Sequence, residues 1–299
     1  MFRRRMQRWA NRCLRPAVWR SEQYPPRPLA FPNYRAENPP RDSPSIAIVT
    51  PVLNQAAFIR AAIDSVLTQN YPNLAYIVQD GGSSDGTVEI LRSYGRSLEW
   101  TSERDCGQAD AINLGFARVG GDIMAWLNGD DMLTPGSLAY VARYFQANPD
   151  IDVVYGHRIF VDILGRETGR CVLPAHDPGT LKFADYIPQE TLFWRRRVWQ
   201  SLSPIDITFH CAMDWDFILR AQAAGFSFRR LPRFLGCFRV HPAQKTISVR
   251  AASLAEMELL RQRTFGRVIT TDDVDRGIEM YLLRHVIVDR LYRVGALRY

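Results

Sequence analysis

The sequence predicts an α/β fold: a mostly parallel sheet flanked by helices, followed by a smaller, looser region and two terminal helices. Three observations carry that expectation. Between residues 45 and 156, short apolar β-branched runs alternate with segments of helical periodicity. Loops rich in Gly, Asp and Asn fall directly after predicted strands, the edge where parallel sheets bind ligands. The chain of 299 residues, 46% hydrophobic and 23% charged, suits a globular protein of one or two domains with a sizeable core.

Each element follows from its own pattern. "SIAIVT" (45–50) is the first strand, and Phe58, Ile59, Ala62, Ile63, Val66 and Leu67 recur at helical spacing behind it. "NLAYIVQ" (73–79) is the second strand, with "GTVEILRSY" a short helix after its loop. "LEWTSE" (98–103) is a weaker strand, and 108–119 a helix with Ala109, Ile112 and Phe116 on one face. "DIMAWL" (122–127) is the fourth strand; Thr134 and Pro135 then read as N-cap and first residue of a helix. "DVVYG" (152–156) closes the series.

Beyond residue 156 the alternation loosens. A hairpin is expected around Gly165, a helix over 214–225, and terminal helices over 252–264 and 273–292. In the last of these, Val274, Ile278, Tyr281, Leu282, His285 and Val288 form the apolar stripe. No internal repeat is present.

The net charge of +7 belongs to one end. Residues 1–20 hold seven arginines and no acid; without them the chain carries 31 basic and 31 acidic residues. A nucleic-acid surface on the folded body is therefore not expected. The same segment interleaves Phe2, Met6, Trp9, Leu14, Val18 and Trp19 with the arginines. It reads either as a solvated arm or as a peripheral contact for an anionic membrane. Residues 21–44 hold seven prolines and read as an extended linker, completing an arm over 1–44. No stretch approaches the ~18 apolar residues of a membrane span. Five scattered cysteines without a C-x-x-C pair fit neither a disulfide framework nor a thiolate zinc site, and favour a cytoplasmic setting.

Three loops could carry chemistry: "TPVLNQ" (50–55), "QDGGSSDGT" (79–87) and "LNGDD" (127–131). In the second, Asp85 is placed to cap the following helix, but Asp80 lies too early for that. A carboxylate there, ahead of two glycines, can meet a base or ribose. Neither a Walker loop nor a G-x-G-x-x-G fingerprint is present, so phosphates would need another counter-charge. Asn128-Gly129 could make a hairpin turn. Yet Asp130 and Asp131 adjoin at the sheet's ligand edge, an oxygen site for Mn²⁺ or Mg²⁺ whose shell substrate phosphates complete.

Together "TPVLN", "QDGGSSDGT", "DCGQADAINLG", "LNGDD" and "MDWDFILR" resemble the family 2 glycosyltransferases of the GT-A fold, over about residues 45–245. The resemblance implies an inverting transferase that moves a sugar from a nucleotide-diphosphate donor, UDP by family habit, to a hydroxyl acceptor, as in surface polysaccharide or glycolipid synthesis. It divides the chain into a donor half (45–156), an acceptor half (157–245) and a helical extension (246–299). It implies Thr50, Pro51, Asn54 and Asp80 at the nucleoside, and Asp105, Gln108 and Asp110 near ribose and diphosphate. It implies Asp130 and Asp131 at the metal, with His241 of an R-x-H pattern as a further metal or diphosphate contact. Asp214 matches the general base, and Gln189 and Glu190 a segment lining the acceptor pocket, which would take a saccharide or a lipid-linked acceptor. Capping and packing also account for Asp110, and solvation for Asp216. Lys245 could reach the phosphates.

Two positions depart from the pattern: Asn128 replaces the first metal-motif aspartate, and Met213 the glutamate often found before the base. They leave open a non-catalytic membrane-surface or scaffold protein. A nucleotidyltransferase is the other alternative, although "TPVLNQAAF" lacks its Gly-rich basic loop. Without a Q-x-x-R-W motif or flanking spans, a processive synthase is not expected.

Overall fold

The computed structural model describes residues 20–31, 38–245 and 250–299; the arginine-rich stretch read in the sequence lies outside them up to Trp19. Strand β1 (Ile46–Val52) is buried along its whole length, which matches its unbroken apolar run. It lies between β2 (Leu74–Asp80) and β4 (Ile123–Trp126), parallel to both, and β3 (Glu99–Ser102) extends the parallel edge. The register pairs Val52 with Asp80, so the loops leaving β1 and β2 emerge side by side.

The crossovers are helices α1 (Ile59–Leu67), α2 (Thr87–Ser93) and α3 (Gln108–Arg118). Helix α1 buries Ile59, Ala62, Ile63 and Val66, the face its spacing predicts. Gly86 holds the N-cap position of α2 in a left-handed conformation, while Asp85 Oδ1 accepts from the Thr87 amide (3.0 Å) and hydroxyl (2.6 Å).

Beyond β4 the sheet becomes mixed. Strand β8 (Phe193–Arg195) runs antiparallel to β4 and to β6 (Val153–Val161), and β9 (Phe228–Arg239) runs parallel to β6. The short β5 (Met132–Leu133) pairs with β9, and β7 (Glu167–Cys171) forms the expected hairpin with β6 around Gly165. The strand order is β3-β2-β1-β4-β8-β6-β9-β5. Parallel pairing thus rules the first half and not the second.

Thr134 is not the N-cap of the next helix, α4 (Ser137–Ala147). Its hydroxyl donates to the Phe234 carbonyl (2.7 Å) and its amide to the Leu235 carbonyl (2.9 Å), binding it to β9. The helix begins three residues later, behind Gly136 at φ 73°. Long-range pairing with β9 overrides the local capping signal.

Four short or amphipathic helices complete the chain's second half before its end: α5 (Pro178–Leu181), α6 (Arg196–Leu202), α7 (Met213–Ala223) and α8 (Arg250–Phe265). Helix α9 (Thr271–Arg293) follows, started by a capping box of Thr270 and Asp273. Trp126, Trp194 and Phe217 meet edge-on or tilted at centroid distances of 5.0–6.0 Å and join the two halves of the sheet. Each contributes about 2–3 kcal/mol of burial. Trp126 ends β4, so this cluster also fixes the loop that follows.

The described part of the proline-rich segment is tied down, not a free spacer. Arg27 bridges to Glu167 in β7, and the buried Glu167 carboxylate accepts from Tyr24, from Arg27 (2.6 Å) and from Arg170 (2.8 and 2.9 Å). No helix of the described residues is long and apolar enough to cross a membrane.

Candidate active site

The paired exits of β1 and β2 build one wall of a cleft. Asn54, in the left-handed region at φ 53°, donates its amide to Ser83 Oγ (2.7 Å) and accepts from the Ser84 amide (2.9 Å). Short polar side chains tolerate that conformation best. Asp80 is fully buried and accepts from the Gly82 and Ser83 amides (3.1 and 2.9 Å) and from the Ser83 and Ser102 hydroxyls. Four donors occupy its lone pairs, so the structure gives Asp80 the work of shaping the loop. Thr50 is buried as well, its hydroxyl 3.0 Å from that of Tyr76.

Of the residues expected around the donor, Pro51, Asp105 and Gln108 face the cleft, a space of about 340 Å³ also lined by Asn128, Asp130, Asp131 and Lys245. Asp105 lies against the backbone of Gly81, where a methyl group would come within 2.8 Å of its Oδ2. Burial pushes the Asp105 carboxyl up, and Asp110 and Asp80 add to the shift. Asp110 accepts from the Cys106 amide (2.9 Å) and closes the first turn of α3.

The 127–131 loop is a turn, with the Asp131 amide donating to the Asn128 carbonyl (3.1 Å), but it is not a β4–β5 hairpin. Strand β5 leaves it to pair with β9 instead. Gly129 makes the close approach possible: a methyl group there would sit 2.6 Å from Gln55 Oε1 and 3.1 Å from Val52. Arg239, which the sequence gave no reason to single out beyond its place in R-x-H, anchors the loop. Its amide donates to Asp131 Oδ1 (3.0 Å) and its Nε to the Asp130 carbonyl (2.9 Å), and its guanidinium lies over Phe58.

This anchoring separates the two aspartates. Asp130 points toward the cleft, with its Oδ2 3.0 Å from His241 Nε2. Asp131 is 1% exposed, and burial, with Asp130 and Glu190 nearby, pushes its carboxyl well up. Of the expected trio, Asp130 and Asp131 border the cleft, while His241, itself buried, meets it only through its contact with Asp130. Among the described residues no group of three or more His, Cys, Asp or Glu side chains is arranged to hold a metal ion. The Asp130–His241 pair nevertheless has the donor set, one carboxylate oxygen and one imidazole nitrogen, that suits Mn²⁺ or Mg²⁺ shared with phosphate oxygens.

Asn128 connects this loop to its neighbours. Its Oδ1 accepts from Gln108 Nε2 (2.7 Å) and its Nδ2 donates to Asp131 Oδ2 (3.4 Å). Lys245 Nζ donates to Gln108 Oε1 (2.8 Å), completing a chain from Lys245 to Asp131. An aspartate at 128 could not donate and would set like charge against Asp131.

Behind that chain lies a second cavity of about 210 Å³, sharing Gln108, Asn128, Asp131 and Lys245 as a common wall. Asp214 faces it from the first turn of α7, and Asp185, which sequence reasoning missed, faces it from the loop after α5. Burial pushes the Asp214 carboxyl up to about 6, and Asp185 is raised well above the usual range by burial and by Asp214. Gln189 and Glu190 line the same cavity, although Glu190 is already paired with Arg158 in a bidentate contact (2.6 and 2.7 Å). Gln189 donates to the Trp126 carbonyl (2.8 Å).

Helix α7 has no side-chain cap of its own. Glu256, from α8, accepts from the amides of His210, Cys211 and Ala212 (2.8–2.9 Å) and supplies it across the fold. Asp216, expected to be solvated, is instead fully buried between Arg220 (2.8 Å) and Arg263. Arg263 comes from α8, a contact invisible to local spacing. His157, His176 and His285 lie away from both cavities, and His210 borders the second.

Comparison with known proteins bears on this geometry. Residues 47–212 match the model of the family described as glycosyl transferase family 2. A PGL/p-HBAD biosynthesis glycosyltransferase of Mycobacterium tuberculosis is 31% identical over 183 residues, 60% of this chain and 70% of the relative. An uncharacterized glycosyltransferase of Rickettsia typhi is 34% identical over 119 residues, 39% of this chain and 37% of that one. Among solved structures, S. aureus TarS is matched with TM-score 0.58 at 16% identity, over 81% of this chain and 43% of TarS, so the present chain spans less than half of that protein. Mannosyltransferase PcManGT from Pyrobaculum calidifontis, in complex with GDP-Man and Mn²⁺, is matched with TM-score 0.56 at 18% identity, over 91% of this chain and 76% of that one. These likenesses establish the GT-A fold.

Proposed function

The chain belongs to glycosyl transferase family 2, and from that membership and the two joined cavities we propose that it is an inverting enzyme. It moves a sugar from a nucleotide-diphosphate donor, by family habit a UDP-sugar, to an acceptor hydroxyl. The observation that carries the reading is the shared wall. Asp130, in contact with His241, lines one cavity, Asp214 faces the other, and Gln108, Asn128, Asp131 and Lys245 stand between them.

In this reading residues 45–156 hold the donor and 157–245 the acceptor. Pro51, Asp105 and Gln108 contact the nucleoside and ribose, with Thr50, Asn54, Asp80 and Asp110 shaping their loops. Asp130 and His241, backed by Asp131, would hold Mn²⁺ or Mg²⁺, which when bound neutralises charge on the departing diphosphate. Lys245 adds a fixed cation at the same edge. Asp214 takes the proton of the acceptor hydroxyl as its oxygen bonds to the anomeric carbon. The bond to the diphosphate oxygen breaks with its electron pair, and a single displacement inverts the centre.

The acceptor cavity presents Asp131, Asp185, Glu190 and Asp214 against Arg158 and Lys245. Such an acid-rich lining favours a neutral, hydroxyl-rich saccharide over a carboxylate or phosphate at the attacking end. A glycan or glycolipid acceptor in surface polysaccharide or glycolipid synthesis fits this, and free thiols at Cys106, Cys171, Cys211 and Cys237 fit a cytoplasmic setting. The test is Asp214→Asn. Transfer should be abolished while Mn²⁺-dependent nucleotide binding persists; surviving transfer would remove Asp214 as the base.

A further inference from the structure

Helix α9 is apolar on two opposite faces. Its inner face carries Tyr281, whose ring lies 4.2 Å from that of Tyr186, together with the buried His285. Its outer face carries Met280, Leu283, Ile287 and Leu291, continued by Val294 at the C-cap, all between 41% and 77% exposed. At about 100° per residue these five fall within an arc of about 80°, roughly 150° from the inner face, and run for about 21 Å. A surface helix ordinarily has one apolar stripe, and a second contiguous one marks contact with something else.

The surrounding charge identifies the occupant. Arg284 and Arg290, both exposed, fall about 20° outside the two edges of the stripe; Arg284 is held by Asp177 (3.0 Å), which leaves Arg290 as the flanking cation that faces outward. From Met280 to the end of the chain there are four arginines and one acid, Asp289, which Arg293 already engages (2.6 Å). The N-terminal segment emerges at the same place: Arg293 Nη2 donates to Gln23 Oε1 (2.6 Å), and Gln23 Nε2 donates to the Arg20 carbonyl (3.0 Å). Residues 1–19, outside the described part, precede Arg20 in the sequence with six more arginines and two tryptophans. Docking that arginine-rich segment onto the stripe would bring like charges together. An acidic surface with an apolar interior complements both features.

We propose that the outward face of α9 docks on an anionic lipid bilayer, with Met280, Leu283, Ile287, Leu291 and Val294 entering the headgroup boundary and the flanking Arg290 reaching the lipid phosphates. The site is separate from the transferase chemistry and holds whether or not Asp214 is the base.

The test is sedimentation of the full chain with vesicles of phosphatidylcholine and phosphatidylglycerol at 7:3, against phosphatidylcholine alone. Wild type should sediment with the anionic vesicles, and Leu283→Ser/Ile287→Ser should bind at least about tenfold more weakly. Arg290→Glu, a surface change that leaves the apolar stripe intact, should weaken binding in low salt. Leu164→Ser, on the exposed β6–β7 turn, should change nothing. Unaltered sedimentation of both the double variant and Arg290→Glu overturns the proposal. So does a wild-type dimer in light scattering that the double variant dissociates, since the stripe would then belong to a second copy. If the double variant melts early, Arg290→Glu decides the matter alone. Donor hydrolysis in Mn²⁺ without vesicles should be equal in all four proteins, which separates this result from any failure of the transferase reading.

Discussion

Asp214→Asn should make the protein more stable and inactive at once. Burial raises the Asp214 carboxyl from 3.8 to about 6, against the opposing effect of backbone amides and Arg158. A carboxyl raised on folding holds its proton more tightly in the folded chain. Its favourable contribution is therefore present at low pH and lost as pH rises through about 6. The shift of about 2 units corresponds to about 3 kcal/mol at most, and partial exposure of the side chain screens part of it. Asparagine keeps the shape and removes the ionisation. At pH 8 the variant should gain about 1–3 kcal/mol, several degrees in Tm for a chain of this size, and at pH 4 nothing. Thermal melts across that range measure this directly. In parallel, nucleotide release from a donor sugar by wild type should fall about tenfold between pH 7 and pH 5, as the base is protonated. A variant no more stable at pH 8 than wild type, or a wild-type rate flat from pH 7 to 5, would refute the reasoning.

Asp130→Ala should weaken nucleotide binding about tenfold or more in Mn²⁺ and little in EDTA, whereas equal loss in both would mark a folding defect. Glu256→Ala strands three amides at the start of α7 and should cost about 2–3 kcal/mol in chemical denaturation while slowing transfer more than it raises donor KM, and Glu256→Gln should recover part of both. Gly129→Ala should cost about 1–3 kcal/mol, because Val52 and Gln55 must yield to the added methyl group.

What the sequence made legible is what local spacing encodes. The strand–helix alternation placed the loops of Asn54, Asp80 and Asp130 at one sheet edge, because parallel strands must all end there. Asp214 and Asp130 could be named because each lies in a short motif. The motifs did not reveal which side chains are spent internally. Asp80 looks like a ligand in sequence and is a loop organiser in the fold, since Ser83 reaches it from its own loop and Ser102 from the end of β3. Thr134 carries every local mark of an N-cap and loses that role to β9, about 100 residues away in the chain.

The residues that escaped notice share a cause: each acts across the fold on a partner that sequence distance hides. Glu256 completes the start of α7, Arg263 neutralises Asp216, and Arg239 fixes both aspartates of the 127–131 loop. Asn128 belongs with them. Read alone, it is a metal motif short of one carboxylate. In the fold its amide does two things a carboxylate could not do together, accepting from Gln108 and donating to Asp131. It thereby ties the donor cleft to the acceptor cavity at their common wall. The departure from the family pattern moves charge away from a crowded site that already holds Asp131, Asp185, Glu190 and Asp214. Restoring the charge with Asn128→Asp should therefore raise the Asp131 carboxyl further and break the Gln108–Asn128–Asp131 chain, and Mn²⁺ affinity should fall at neutral pH despite the added ligand. A gain in Mn²⁺ affinity without loss of stability would show that the amide is only a tolerated substitute.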